Sequence, residues 1–139
     1  MPSMNAALGL AQLRKINDVI KKRQHNAQEY TRLLKENLHI KTPELPERFF
    51  HVYQKYTIEI EMKRDELQKH LLENHILTKA YFGTPVHLTS FYRSTYRFKE
   101  GMLPISEQKA AQVLSIPMYP SLTGEEITYV AEKILEFMK

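Results

Sequence analysis

The sequence predicts an α/β protein of two layers, in which a few strands are covered by helices. Three observations support this prediction. Apolar residues recur every three or four positions near the N-terminus, residues 56–62 alternate between apolar and polar, and a continuous apolar stripe ends the chain. The predicted order is helix, strand, helix, strand, loop, helix, strand, helix, without an internal repeat.

The N-terminal stretch predicts one long helix. No proline interrupts residues 3–37, and the apolar residues from Leu10 to Ile20 are spaced to line one helix face. Pro43 excludes continuation of the helix beyond that region. Because the predicted length exceeds that of a usual globular helix, the sequence leaves open a bend or break near His25 and Asn26.

The middle of the chain predicts a strand, a helix and a second strand. The alternation over residues 56–62 is typical of a strand with one face in water. Asp65 and Glu66 then begin a helix, since acidic residues suit the positive N-terminal end of a helix. Residues 76–80 are apolar enough to predict a second, short strand.

The segment from Tyr81 to Ile105 shows neither helical nor strand periodicity. It is long for a loop in a compact domain, and it contains turn-forming residues, namely Gly83, Pro85, Gly101 and Pro104. Long ordered loops often carry function. We therefore expect the functional residues of this chain to lie here.

The C-terminal part predicts a helix, a strand and a second helix. Ser106 is expected to cap a short helix that runs through Ala111, and residues 113–118 are expected to form a strand. Thr123 and Glu126 match a capping box, and the apolar stripe after them predicts a final helix that packs on the core.

Composition excludes several classes of protein. The 139 residues have room for one domain, predicted to span residues 1–139. The absence of cysteine excludes disulfides, thiolate nucleophiles and cysteine-based metal sites. No apolar run approaches the ~20 residues of a membrane span and no secretory signal is recognisable, so we expect a cytoplasmic protein without membrane contact. A net charge of +4 in mixed sign favours anionic ligands weakly.

Two apparent catalytic patterns carry little weight. The six histidines are scattered, and His70 and His75 are five residues apart, whereas helical metal ligands are spaced by four. No metal site is expected. Ser106 and Lys109 match the Ser-x-x-Lys pattern of some acyl-transferring enzymes, but the partner motifs are missing and the match is attributed to chance.

Residues 91–99 interleave aromatic side chains with cations, which is the strongest functional signal in the residues themselves. Aromatic rings stack on bases while arginine and lysine neutralise phosphates, so the segment is compatible with binding nucleotides or single-stranded nucleic acid. The alternative is that the rings attach a long loop to the core while the cations remain solvated, and the composition favours this alternative.

Three stretches together resemble the C-terminal portion of the DegT/DnrJ/StrS-type nucleotide-sugar aminotransferases, which depend on pyridoxal phosphate. They are MPSMNAALGLAQL at residues 1–13, PVHL at residues 85–88, and VLSIPMYP followed by LTGEE over residues 113–126. Their order and spacing make the set specific, and the resemblance runs nearly from end to end. It implies the small C-terminal domain of a fold-type I aminotransferase.

In that family a large domain carries the lysine that forms the Schiff base with the cofactor, and the product is an amino sugar attached to a nucleotide, with glutamate as the usual amino donor. No lysine of this sequence matches that lysine. The resemblance therefore implies that the large domain is absent, that no catalytic residue and no cofactor belong to this chain alone, and that the chain by itself does not transaminate.

The resemblance also implies which residues meet the substrate. In the family the loop after the second strand borders the sugar-nucleotide pocket, which gives Tyr81, His87, Tyr92 and Arg93 as candidate substrate-binding residues. An arginine fork also matches the geometry of a diphosphate.

Two further hypotheses come from other classes. One is a stand-alone module that binds nucleotide sugars or nucleic acid, although nucleic acid is the less favoured partner. The other is self-association, because a domain parted from its neighbour exposes apolar surface, and the N-terminal helix is the expected contact.

Overall fold

The computed structural model describes residues 2–139 and contains a three-stranded antiparallel sheet in the order β1-β2-β3. Strand β1 spans Ile40–Lys41, β2 spans Tyr56–Ile60 and β3 spans Val113–Ile116. Ile60 pairs with Ile40, and Ile58 pairs with Leu114, so β2 is the central strand.

The described part of the chain also contains six α-helices. They are α1 (Ser3–Leu13), α2 (Ile16–Leu34), α3 (Arg64–Glu73), α4 (Ser90–Tyr96), α5 (Pro104–Gln112) and α6 (Gly124–Phe137). Helix α6 contacts both α2 and α3, and the three helices together cover one face of the sheet. The predicted fold of a few strands covered by helices is confirmed.

The core forms where the apolar face of β2 packs against the apolar faces of the helices. Tyr56, Ile58 and Ile60 are fully buried, whereas the intervening Thr57 and Glu59 face the opposite side of the sheet. Each buried aliphatic side chain of this kind contributes about 1.5–3 kcal/mol. The helices contribute Ala27, Tyr30, Leu34, Leu67, Leu71, Ile127, Val130, Ala131 and Ile134 to the same core.

A polar contact joins α2 to β2 within this core. The Tyr30 and Tyr56 rings lie 5.3 Å apart, and the hydroxyl groups of Tyr56 and Thr31 share a hydrogen bond of 2.7 Å. Burial raises the pKa of Tyr56 to about 12. Both phenols therefore remain neutral at physiological pH, since burial also raises the pKa of Tyr30.

The long N-terminal helix is interrupted, but at a different position from the one considered in the sequence. The break lies at Arg14 and Lys15, between α1 and α2, and the helix is continuous through His25 and Asn26. Asn26 is buried and its side-chain amide donates to the Tyr119 carbonyl at 3.0 Å. Packing of α2 on the core therefore keeps this stretch helical.

The strand predicted for residues 76–80 is reduced to a single bridge. Lys79 and Ser115 exchange two backbone hydrogen bonds of 3.0 and 2.9 Å, and the rest of that stretch forms no ladder. The preceding His75 has a φ of 61°, which ends α3 by turning the chain away from helical geometry. Strand β1, which is only two residues long, has no counterpart among the predicted strands.

The segment from Tyr81 to Ile105 contains more regular structure than predicted. A 3-10 helix spans Val86–Leu88, and α4 and the start of α5 follow. Ser106 does not cap α5, because that helix begins at Pro104 with Leu103 as its N-cap. The fixed φ of proline suits the first helical position, and this preference decides where the helix starts.

Within residues 2–139, no helix combines the length with the apolar character that crossing a bilayer requires.

The capping box of α6 is confirmed. The Thr123 hydroxyl accepts the Glu126 N–H at 3.2 Å, and the Glu126 carboxylate accepts the Thr123 N–H at 2.8 Å. These two bonds satisfy backbone donors that the first helical turn otherwise leaves unpaired.

Replacing Thr123 by alanine is expected to lower the free energy of unfolding by about 1 kcal/mol, because the start of α6 loses its side-chain acceptor. Urea denaturation followed by circular dichroism measures the change. Ser121→Ala, an exposed position two residues earlier, should change the value by less than about 0.5 kcal/mol. Equal losses in the two variants would contradict a stabilising role for the cap.

Candidate functional site

A cleft of about 490 Å³ lies between the 3-10 helix, α4 and α5. Its walls are mainly apolar, with a few polar groups, which is the usual composition of a small-molecule site. It is lined by Phe82, Pro85, Val86, His87, Tyr92, Phe98, Leu103, Ser106, Lys109, Ala110 and Val113.

The cleft is organised by a hydrogen bond between His87 and Glu107. His87 is buried, and its Nε2 lies 3.0 Å from Oε1 of Glu107. The Glu107 carboxylate also accepts the backbone N–H groups of Gly101, at 2.8 Å, and Leu103, at 3.1 Å. One side chain of α5 therefore holds both the turn before that helix and the buried imidazole.

These contacts determine which nitrogen of His87 carries a proton. The backbone N–H of Gly101, together with those of Leu103 and the His87 ring, holds the pKa of Glu107 below its ordinary value of 4.5. An ionised carboxylate can only accept hydrogen bonds, so Nε2 of His87 must be the donor. Nδ1 is then the ring nitrogen left for a ligand, and in the neutral ring it accepts a hydrogen bond from a ligand hydroxyl.

A series of aromatic rings leads along α4 to this histidine. The centroid distances are 5.4 Å for Phe91 and Tyr92, 5.8 Å for Tyr92 and Tyr96, 5.9 Å for Tyr96 and Phe98, and 6.2 Å for Phe98 and His87. The rings pack against each other instead of standing apart as platforms for bases. Phe91, Tyr92 and Tyr96 are exposed and none of them packs against the core, so the rings contact one another and do not attach the segment to the core.

The structure separates the four candidate residues into two groups. His87 and Tyr92 line the cleft, whereas Tyr81 and Arg93 are not among its lining residues. The ring of Tyr81 lies under the Lys55 ammonium, whose Nζ is 3.2 Å from the ring centroid. Arg93 is exposed on α4.

Sequence reasoning missed Glu107, and it considered Lys109 only as part of a chance Ser-x-x-Lys pattern. Glu107 lies in the first turn of a helix that begins at Pro104, shortly after a turn at Gly101. This combination indicates a carboxylate close to free backbone N–H groups, and the sequence could have shown it. Ser106 and Lys109 both line the cleft, but the Lys109 ammonium bonds to the Glu59 carboxylate on β2 and forms no hydrogen bond with Ser106. The Ser-x-x-Lys pattern therefore has no catalytic geometry here.

The cleft does not fit pyridoxal phosphate. That cofactor requires a free amine, an acidic partner for its ring nitrogen and a phosphate cradle. Lys109 is the lysine of the lining and is already paired with Glu59, and the lining residues include no carboxylate. Over residues 2–139, moreover, no three side chains of the metal-ligating types gather into a metal site.

The chain matches the DegT/DnrJ/EryC1/StrS aminotransferase family over residues 1–135 and therefore belongs to it. It is 38% identical over its whole length to the pleiotropic regulatory protein of Geobacillus stearothermophilus, of which it covers 37%. Over 99% of its length it is 31% identical to GDP-perosamine synthase of Escherichia coli O157:H7, of which it covers 36%.

Solved structures of aminotransferases share the fold. The DesV protein of S. venezuelae, solved in complex with a ketimine intermediate, superposes with a TM-score of 0.91 at 31% identity, covering 98% of this chain and 36% of that one. An aminotransferase of the same family from Brucella abortus superposes with a TM-score of 0.82, also at 31% identity, over 93% of this chain and 34% of its own. The chain thus spans about a third of the length of the relatives it matches.

The hydrogen bonds that the Glu107 carboxylate accepts predict a pH dependence of stability. Because the folded-state pKa lies below 4.5, the stabilisation is complete above that pH and is lost as the pH falls through the lowered value. We expect Glu107→Gln to lower stability near pH 7 and to flatten its decline below pH 4.5. Thermal unfolding monitored between pH 7 and pH 3 measures both effects.

Glu100 provides the matched control, because it is an exposed carboxylate in the same turn and forms no ion pair with another described residue. Glu100→Gln should keep the pH profile of the unmodified protein. Superimposable profiles for all three proteins would show that protonation of Glu107 does not affect stability.

Proposed function

We propose that residues 1–139 are the small, substrate-facing domain of a sugar aminotransferase that acts on a nucleotide sugar. The observation that carries the proposal is the superposition with DesV over nearly the whole chain, at 31% identity and a TM-score of 0.91. Sequence matches of similar extent to GDP-perosamine synthase and to the dTDP-4-dehydro-2,3,6-trideoxy-D-glucose 4-aminotransferase of Saccharopolyspora spinosa support it.

In this proposal pyridoxal phosphate and the lysine that binds it come from the other two-thirds of the enzyme, which supply the electron sink for amino transfer. The misfit of the cleft to the cofactor supports this division of roles. By the same reasoning, amino transfer requires the remaining part of the fold, whether it lies on this polypeptide or on another.

The cleft at His87 is the proposed contact with the sugar nucleotide. Its Nδ1 offers an acceptor for a sugar hydroxyl, and Tyr92 supplies an aromatic wall beside it. Arg93 and Tyr81 lie outside the cleft lining, so in this proposal they meet more distant parts of the ligand, where a guanidinium suits a phosphate. Glu107 acts through His87 and is a positioning residue.

A chimeric enzyme tests this proposal. Residues 1–139 replace the matching third of GDP-perosamine synthase from Escherichia coli O157:H7, and formation of GDP-perosamine is measured. We expect activity from the chimera and a reduction in kcat/KM of about tenfold or more for His87→Ala, since a hydrogen bond to the substrate is lost.

Two controls make the chimera informative. His25→Ala removes an exposed histidine of α2 and should leave kcat/KM unchanged. Loading with pyridoxal phosphate, followed by absorbance, shows that an inactive chimera has nevertheless assembled. A chimera that binds the cofactor but gives no product, or that is indifferent to His87→Ala, would contradict the proposal.

We also propose that the chain associates with a second copy through α1. No residue of α1 is buried, and Met4, Leu8 and Leu13 expose 82%, 62% and 66% of their surface. A helix with this much apolar surface in water is typical of an interaction site. Helix α1 adds nothing to the core, so its side chains are available to a partner.

Sedimentation is expected to show a dimer or larger species for the 139-residue chain. The double change Leu8→Glu and Leu13→Glu should give a monomer with an unchanged unfolding midpoint at low concentration, because α1 buries nothing within the chain. Gln12→Glu introduces the same kind of charge on the same exposed helix as a control. A monodisperse monomer of the unmodified chain would refute self-association.

A further inference from the structure

A cavity of about 820 Å³ lies at the start of α6. It is bordered by the turn that follows α3, the loop that follows β3 and the first two turns of α6. Three of the residues that line it, Ile76, Leu122 and Val130, are buried and belong to the core, so the base of the cavity is apolar and packed. It shares no lining residue with the cleft at His87.

Two tyrosine side chains line this cavity, Tyr119 from the loop after β3 and Tyr129 from α6. The buried Asn26 amide donates to the Tyr119 carbonyl at 3.0 Å, and the Tyr129 hydroxyl donates to the Asn74 carbonyl at 3.4 Å. These bonds attach the two tyrosines to α2 and to the end of α3. The side chains remain accessible to a ligand, because Tyr119 and Tyr129 are 41% and 43% exposed.

Two carboxylates, Glu125 and Glu126, line the same cavity, and neither forms an ion pair with another residue of the range 2–139. The backbone N–H and the hydroxyl of Thr123 hold the pKa of Glu126 below its ordinary value of 4.5, so this carboxylate is ionised at physiological pH. The Tyr119 hydroxyl lies 3.5 Å from Oε1 of Glu126, which places an aromatic residue directly beside the charge.

Little positive charge offsets these carboxylates. The described residues that line the cavity include no lysine and no arginine, and His75 adds a positive charge only when it is protonated. The Lys133 ammonium lies 5.9 Å from the Tyr129 ring centroid, but it is bonded to Glu136 at 2.8 Å. The N-terminal end of a helix carries only about half an elementary charge. The cavity is therefore negative as well as aromatic.

We propose that this cavity binds an organic ammonium ion, that is, a protonated amine attached to an apolar body. The face of an aromatic ring attracts a cation, and a carboxylate accepts its hydrogen bonds. The buried base of the cavity then covers the apolar body. A ligand that also carries a carboxylate or a phosphate is disfavoured, because Glu125 and Glu126 repel it. This inference does not rest on the proposed function.

Titration of the ¹⁵N-labelled 139-residue chain with phenethylammonium chloride, at constant ionic strength, tests the site. We expect saturable shifts of the amide resonances of residues 74–77 and 119–130. Phenethyl alcohol has a similar shape without the charge, and phenylalanine adds a carboxylate to the same amine. Each of these two probes should bind at least about fivefold more weakly than phenethylammonium.

Glu125→Gln and Tyr129→Leu should each weaken the binding of phenethylammonium about fivefold, because the first removes a charge and the second removes a ring face. Tyr129→Phe keeps the ring and should retain binding. Glu132→Gln is the matched control, because Glu132 is an exposed carboxylate on the same helix that neither lines the cavity nor forms an ion pair with another described residue. It should leave the affinity within about twofold.

Amide spectra of each variant without ligand verify that the fold is intact. The proposal is overturned if phenethylammonium causes no saturable shifts at residues 74–77 and 119–130. It is also overturned if phenethyl alcohol or phenylalanine binds as tightly as phenethylammonium, or if Glu132→Gln weakens binding as much as Glu125→Gln.

Discussion

Burial of one face of β2 is the constraint on which the rest of this structure depends. Tyr56, Ile58 and Ile60 are completely buried against α2, α3 and α6, and the same alternation points Thr57 and Glu59 to the other side. A slip of one residue in this strand would move every core side chain into water. The hydrophobic effect therefore fixes the register of the sheet, and the register in turn decides which polar groups stand on the opposite face.

The chemistry available to the chain is built on that opposite face. Glu59 on β2 bonds to Lys109 on α5, which attaches that helix to the sheet, and Glu107 of the same helix then binds His87 and the turn at Gly101. An ion pair on α5 and a hydrogen bond from the same helix thus connect the central strand to a buried imidazole in a cleft. Ala110 is the one buried residue of helix α5, and the contacts of Lys109 and Glu107 join that helix to the sheet and to the cleft.

Membership in the aminotransferase family and the lack of fit to pyridoxal phosphate are consistent with each other. The chain spans about a third of the length of its relatives, so a fold shared with DesV over that third does not require a complete active site. The residues that line the cleft at His87 include no lysine that is free to bind the cofactor.

The sequence by itself determined the two-layer class, the central strand and the capped helix α6, because periodicity and capping are local properties that only a few neighbouring residues decide. Through resemblance it named Tyr81, His87, Tyr92 and Arg93 as candidates, of which His87 and Tyr92 line one cleft. Only the tertiary structure decided that the N-terminal helix breaks at Lys15, that α5 begins at Pro104, and that residues 76–80 pair at one position. The hydrogen bond of Asn26 joins it to Tyr119, which is 93 positions away, and that of Glu107 joins it to His87, which is 20 positions away. No local sequence pattern indicates contacts over such separations.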